Sequence, residues 1–213
     1  MSSSGLSNLL EDSFYSSYSC PCVKRTLAPL RSLGLLVNIL RLQGANLEGA
    51  MLSGLDLSHA GLSGAVLRAA KLDGANLSHA RMHGADLRNA DLSNTELTHA
   101  ALAGGDLRGI CVSGANLEHV NLQGANLSQV DLSGLRLTHA NMVGANCSGA
   151  KLDGADLQHA NLTAANLQGA SLKGTNLRNA NLIAADLSGV DLSEADLAKA
   201  NLQQARTDRE SIR

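Results

Sequence analysis

From Leu42 to Leu202, every position whose number ends in 2 or 7 is leucine except Met82, Val112, Met142 and Cys147, giving 29 leucines in 33 positions. Two residues before each stands a second apolar or small residue, alanine in 23 of the 33 cases. The register never slips. Such a period constrains the fold more than composition does, because each repeat must bury its apolar face against its neighbours. Five is neither the three-and-four spacing of an amphipathic helix nor the strict alternation of a half-buried strand. The alanine and the leucine are two apart, as on one face of a strand, so both side chains can point the same way. The residues between are mostly Ser, Gly, Gln, His, Asp and Asn, which suit turns. Each unit therefore reads as a very short extended side followed by a corner.

A slower period says how many sides close one circuit. His59, His79, His99, His119, His139 and His159 recur every twenty residues, and only His83 lies off this beat. Four units of five return the chain to the same face. The expected fold is an all-β solenoid, a square coil stacked at about 4.8 Å per level by ladder hydrogen bonds. The 33 units give roughly eight coils and a rod of about 39 Å. Alanine and leucine fill its narrow core, and no Phe, Tyr or Trp occurs after Tyr18.

The repeat stands in the chain as ANLEG, ANLSH, ADLRN, ADLQH, ANLQG and ADLSE. This pattern resembles the pentapeptide repeat family, whose consensus is A(D/N)LXX, and the resemblance runs from Leu40 to Gln204. It implies a right-handed quadrilateral β-helix. It implies little about function, because one fold hosts many unrelated roles.

The chain divides into a Ser-rich flexible arm (1–26), a short N-terminal capping helix (27–41), the repeat rod (42–205) and a short tail (206–213). Thr26 suits a helix N-cap and Pro29 the first turn. The helix would cover the open end of the first coil, as terminal repeats of a solenoid require. Glycine fills two of the corners in most coils, where a type II turn needs positive φ. The histidine corner holds no glycine, since Asn179 and Lys199 complete it, and a different turn with negative φ is expected there. Asn121, Asn141, Asn161, Asn181 and Asn201 form a further column whose amides can hydrogen-bond from level to level.

Function is bounded chiefly by what the pattern lacks. No phosphate loop, HExxH or CxxC is present, and no nucleophile stands beside a unique histidine. No catalytic residue and no cofactor site is therefore assigned, and the protein is read as non-enzymatic. The histidine column is the one candidate metal or pH-sensing feature, since stacked imidazoles can take up protons and repel one another. A straight column does not converge as metal ligands do, so copied corner residues are the favoured reading. Cys147 replaces a core leucine and is expected to be buried. Cys111 lies on an outward position with no partner at a matching level, and Cys20 and Cys22, which could bind metal or carry a lipid, are read as free thiols of a reducing compartment.

Residues 43–205 carry fifteen Asp and Glu against ten Lys and Arg. A nucleic-acid binder would show a basic face instead. The favoured function is a rigid scaffold presenting flat faces to a protein partner. The alternative is a DNA-mimicking regulator of a type II topoisomerase (DNA gyrase), as in the quinolone-resistance group of the family. Against it stand the dilution of carboxylates by Asn and the basic column Arg68, Arg88 and Arg108. The tail is too short to cover the last coil, so Leu197 and Leu202 are expected to join two copies into a homodimer. No stretch suits a membrane span, since the apolar segment 26–40 is short and interrupted by Arg31. A cytoplasmic location is expected, and a Ser-rich arm would also suit a secreted effector.

Overall fold

The computed structural model describes residues 42–208. The expected arm and capping helix lie outside the described residues, as does the tail beyond Asp208.

The described chain forms a quadrilateral β-helix in which each residue of a side pairs in parallel with the residue twenty further on. On the first side the ladder climbs without a break from Asn46 through Val66, Asp86, Asp106, Asn126, Asn146, Asn166 and Asp186 to Arg206. Its last step is the parallel pair β1 (Asp186–Leu187) and β2 (Arg206–Thr207). The third side runs unbroken from Asp56 to Asp196, and the fourth from Gly61 to Asn201. The sides are so short that pairing is mostly one residue deep. Two bonds tie each level to the next, as when Leu47 N–H donates to Val66 C=O at 2.7 Å and Val66 N–H to Ala45 C=O at 2.9 Å.

The core is the one the five-residue period requires. Leu62, Leu77, Leu102, Leu127 and Leu152 are at most 1% exposed, and Met82, Met142 and Cys147 occupy the same inner column. Burying each leucine contributes about 1.5–3 kcal/mol. Alanine lines the inner wall beside the corners because little more fits. Thr95 and Thr175 replace it twice, and both are buried. Their hydroxyls donate to Leu92 C=O at 2.6 Å and Leu152 C=O at 2.7 Å, which satisfies the buried polar atom.

The corners correct one expectation. From Gly44 to Gln204, the last residue before every inner small residue has φ between 52° and 74°, with Glu194 the sole exception. The histidine column obeys this rule, with φ of 57–61°, rather than turning with negative φ. The reason is closure. Each corner is a β-turn, as shown by Ala45 N–H donating to Leu42 C=O at 3.1 Å, and a left-handed third residue makes it type II. A rod of constant cross-section must turn the same way at all four corners, whichever residue stands there. Where glycine is missing, His or Asn is common, and these tolerate the left-handed region better than most residues.

The same corners explain the Asp and Asn that precede the leucines. Their Oδ1 accepts the backbone N–H two residues on, as in Asn76 to Ser78 at 3.0 Å and Asp186 to Ser188 at 3.0 Å. This is an Asx turn, which closes the corner from the side chain. In the Asn column the amide makes this local bond at Asn121, Asn141, Asn161, Asn181 and Asn201. One amide-to-amide bond joins two levels of the column, Asn141 Nδ2 to Asn121 Oδ1 at 3.2 Å.

The second side breaks the regularity. Its ladder runs from Met51 through Lys71 and Asp91 to Cys111, and resumes from Asp131 through Lys151 to Ser171. Between Cys111 and Asp131 the expected bonds from Val112 N–H to Asp131 C=O and from Asp131 N–H to Ile110 C=O are not made, nor are those from the corner amides of Gly109 and Gly114. Three large buried side chains border this level, Ile110 below and Val130 and Leu135 above, each in a column where alanine is common. Overfilling a close-packed wall costs energy that opening the ladder would relieve. A second gap separates Ser171 from Asp191, beside Val190 and the irregular corner at Glu194.

Candidate functional surfaces

The six histidines form one exposed column along the edge between the third and fourth sides. Adjacent rings stack with centroids 4.8, 4.9, 4.6, 4.8 and 4.9 Å apart and planes within 11° of parallel. The spacing is the rise of one coil. Ring-nitrogen lone pairs lie in the ring planes, so parallel stacked rings direct them side by side rather than toward one point. Among the described residues no group of three or more His, Cys, Asp or Glu is placed to hold a metal.

The basic column read from the sequence is a closed electrostatic zipper. Asp86 takes Arg68 Nε at 2.6 Å and Arg88 Nη2 at 2.7 Å, and Asp106 takes Arg108 Nη2 at 2.7 Å with Arg88 Nε at 3.6 Å. The Arg88 guanidinium, with help from Arg68, holds the Asp86 carboxyl well below the usual carboxylate range. The Arg108 guanidinium likewise lowers the Asp106 carboxyl. These charges are largely spent on one another.

Cys147 is buried in the leucine column, and burial pushes its thiol up to about 12. Cys111 is exposed at the lower lip of the first gap. The Ser113 backbone N–H and the hydroxyls of Ser113 and Ser93 lower its thiol pKa. At the far end, Leu197 and Leu202 are partly exposed, whereas inner leucines of the same columns are buried.

Sorting the charges by their place in the twenty-residue turn shows a feature that net charge hides. The fourth side, with the histidine column at its border and the corner that follows it, contains no Asp or Glu between residues 59 and 204. Its charges are Arg81 and Lys199. The other three sides hold all fifteen carboxylates of residues 43–205 against eight cationic side chains, a net of −7. From Ala101 upward the fourth side is Asn121, Asn141, Asn161, Asn181 and Asn201, with Ala103, Val143, Thr163 and Ile183 at its corner. Reading residue numbers in steps of twenty finds this face, whereas reading total charge does not.

The sequence pattern that defines the family described as Pentapeptide repeats matches eight times, over residues 41–68, 70–109, 113–146, 140–179 and 175–206. Among solved structures, HetL of the cyanobacterium Nostoc sp. strain PCC 7120, a pentapeptide repeat protein involved in heterocyst differentiation regulation, is 32% identical. The alignment covers 84% of this chain and 92% of HetL, with a TM-score of 0.36. QnrB1, a plasmid-mediated fluoroquinolone resistance protein, is 25% identical over 80% of this chain and 87% of its own, with a TM-score of 0.46. Rfr23 of the cyanobacterium Cyanothece 51142 is 35% identical over 54% of this chain and 60% of its own, with a TM-score of 0.31. No curated protein sequence matches. With its repeats matched along nearly the whole described rod, the chain belongs to the pentapeptide repeat family.

Proposed function

We propose that the protein is a non-enzymatic scaffold whose flat, rigid sides dock a protein partner. The observation that supports this most directly is the rod itself. Ladder bonds repeat level upon level, and the chemistry-bearing side chains are copied down columns rather than gathered at a centre. A copied column offers a repeated surface, whereas catalysis needs convergent groups around one reacting atom. The test is a pull-down from native lysate with the wild-type rod and with a variant whose outward positions are scrambled while the inner Leu and Ala are kept. A partner retained by both, or by neither, would contradict the proposal.

The alternative, a DNA-like decoy for a type II topoisomerase, is prompted by the acidity of three sides and by the likeness to QnrB1. The paired Arg68, Arg88 and Arg108 and the carboxylate-free fourth side weigh against it. Gyrase supercoiling assays with added protein separate the readings. Inhibition of supercoiling, or protection of gyrase from a quinolone, would favour the decoy.

The scaffold is further proposed to act as a homodimer joined through its C-terminal coil. Leu197 and Leu202, with Ala200 and Ala205, leave the last described level of the core partly open. Open apolar ends with unpaired backbone groups invite pairing. Sedimentation should show a dimer that Leu197→Lys or Leu202→Lys converts to monomer, and a monomer at high concentration would refute it. Among the described residues no helix is long and apolar enough to cross a membrane.

A further inference from the structure

We propose that the fourth side is the docking surface and that its partner is an acidic peptide segment lying extended along the rod axis. This rests on the scaffold reading above and says which side is used and what chemistry it meets.

The first support is the direction of the amides. In each Asn of the column, Oδ1 accepts the backbone N–H two residues on, at 3.1–3.4 Å. That bond fixes the amide orientation, so the NH2 end is the one left over. Asn141 spends its NH2 on Asn121. Among the described residues, the Nδ2 groups of Asn121, Asn161, Asn181 and Asn201 have no acceptor in the molecule. The column is therefore a row of hydrogen-bond donors, and its complement is a row of acceptors.

Charge gives the second support. On a rod whose other sides are net −7, the fourth side alone has no carboxylate to repel an anion. It has Arg81 and Lys199 near its ends and six imidazoles along one border. The charged groups on the far flank of the histidine column are Glu118 and Arg178 in the same corner and Asp56, Glu96, Arg136, Asp156 and Asp196 on the third side. Glu118 is already engaged by Thr138 and Arg136, at 2.9 and 2.8 Å. The third side would repel an acidic segment, which confines it to the fourth.

Dimensions supply the third. Ala101 to Asn201 spans five coil steps, about 24 Å at the ladder spacing. An extended peptide rises about 3.3 Å per residue, so the face accommodates about seven residues. A duplex nucleic acid is wider than one side of the coil and would meet the acidic sides beyond both borders.

Binding of fluorescent poly-L-glutamate, measured by anisotropy at low ionic strength, tests the proposal. The variant Asn161→Asp with Asn181→Asp keeps the corners closed, because Asp86, Asp131 and Asp186 already make the same local bond. The control, Ser128→Asp with Ser148→Asp, adds the same charge to the corner after the first side. We expect the wild type to bind poly-L-glutamate. We expect affinity to fall at least tenfold in the Asn variant and far less in the control, with circular dichroism unchanged in both. Equal loss in the two variants would mean that net charge alone acts and would overturn the proposal, as would no binding at all. Preference for poly-L-lysine would move the docking surface to the acidic sides, overturning this inference while leaving the scaffold reading intact. Preference for duplex DNA over poly-L-glutamate would overturn it equally.

Discussion

At the scale of single residues, backbone geometry sets the identity rules at corners and packing sets them inside. His99 sits at φ 58° because the coil must close there. Asn adopts that region readily, and Asn179 already does so in the same column at φ 56°. Replacing His99 by Asn should therefore leave the melting temperature within a degree or two. His99→Val places a β-branched residue in a left-handed conformation and should cost on the order of 1–2 kcal/mol. Equal melting of the two variants would show that the corner can turn another way. Inside, Leu127 is 1% exposed. Leu127→Ala should cost about 2–5 kcal/mol, and Leu127→Asp, an unpaired charge in a dry core, should abolish cooperative β structure in circular dichroism. The inner column was legible in the sequence because its period is strict. The corner conformation was not, because His and Asn are ambiguous as single residues and only closure of the whole coil fixes their φ.

At the scale of a side, the regular ladder makes its own interruption conspicuous. Val112 and Asp131 lack the partners that Leu92 and Lys151 have, the latter bonding at 2.7 Å to Cys111 C=O and 3.0 Å to Val130 C=O respectively. Unpaired amides exchange with solvent ahead of paired ones. The amides of Gly109, Val112, Gly114 and Asp131 should exchange faster than those of Leu92, Asn94 and Lys151. If crowding opens this level, Ile110→Ala with Leu135→Ala should slow exchange there. Unchanged exchange would assign the gap to another cause. Ile110, Val130 and Leu135 are visible in the sequence as departures from alanine. What the sequence hides is that Ile110 and Val130 share one wall of the coil twenty residues apart, with Leu135 at the next corner. The carboxylate-free fourth side was hidden in the same way, behind a net charge that averages over four different sides.

For the whole molecule, pH enters through the carboxylates. Asp86, Asp106, Asp91 and Asp131 are all held below the ordinary range. Arg88 and Arg108 are the main cause for the first two, and the Ser93 and Ser133 hydrogen bonds for the last two. Their pKa values in the folded state lie below the unfolded value of about 3.9. The stability they contribute is therefore fully present above about pH 4 and is lost as pH falls through the lower, folded values. The melting temperature should be level in this respect from pH 7 down to about pH 5 and then drop. Asp86→Asn should weaken the acid dependence by removing one depressed group. A drop of the same size and midpoint in that variant would place the acid sensitivity elsewhere.

The interrupted second side also has a mechanical meaning. A beam held by four walls and cut through one of them is no longer equally stiff in every direction. Its compliance is greatest at the notch, and it flexes by opening or closing that one wall. In this rod the notch lies between Cys111 and Asp131, near mid-height, while the first, third and fourth sides run past it unbroken. Flexing is thereby directed into one plane, at this level and at the second gap between Ser171 and Asp191. The segments between the gaps act as stiff arms joined by directional hinges, and the fourth side, opposite both gaps, forms the continuous spine about which they move.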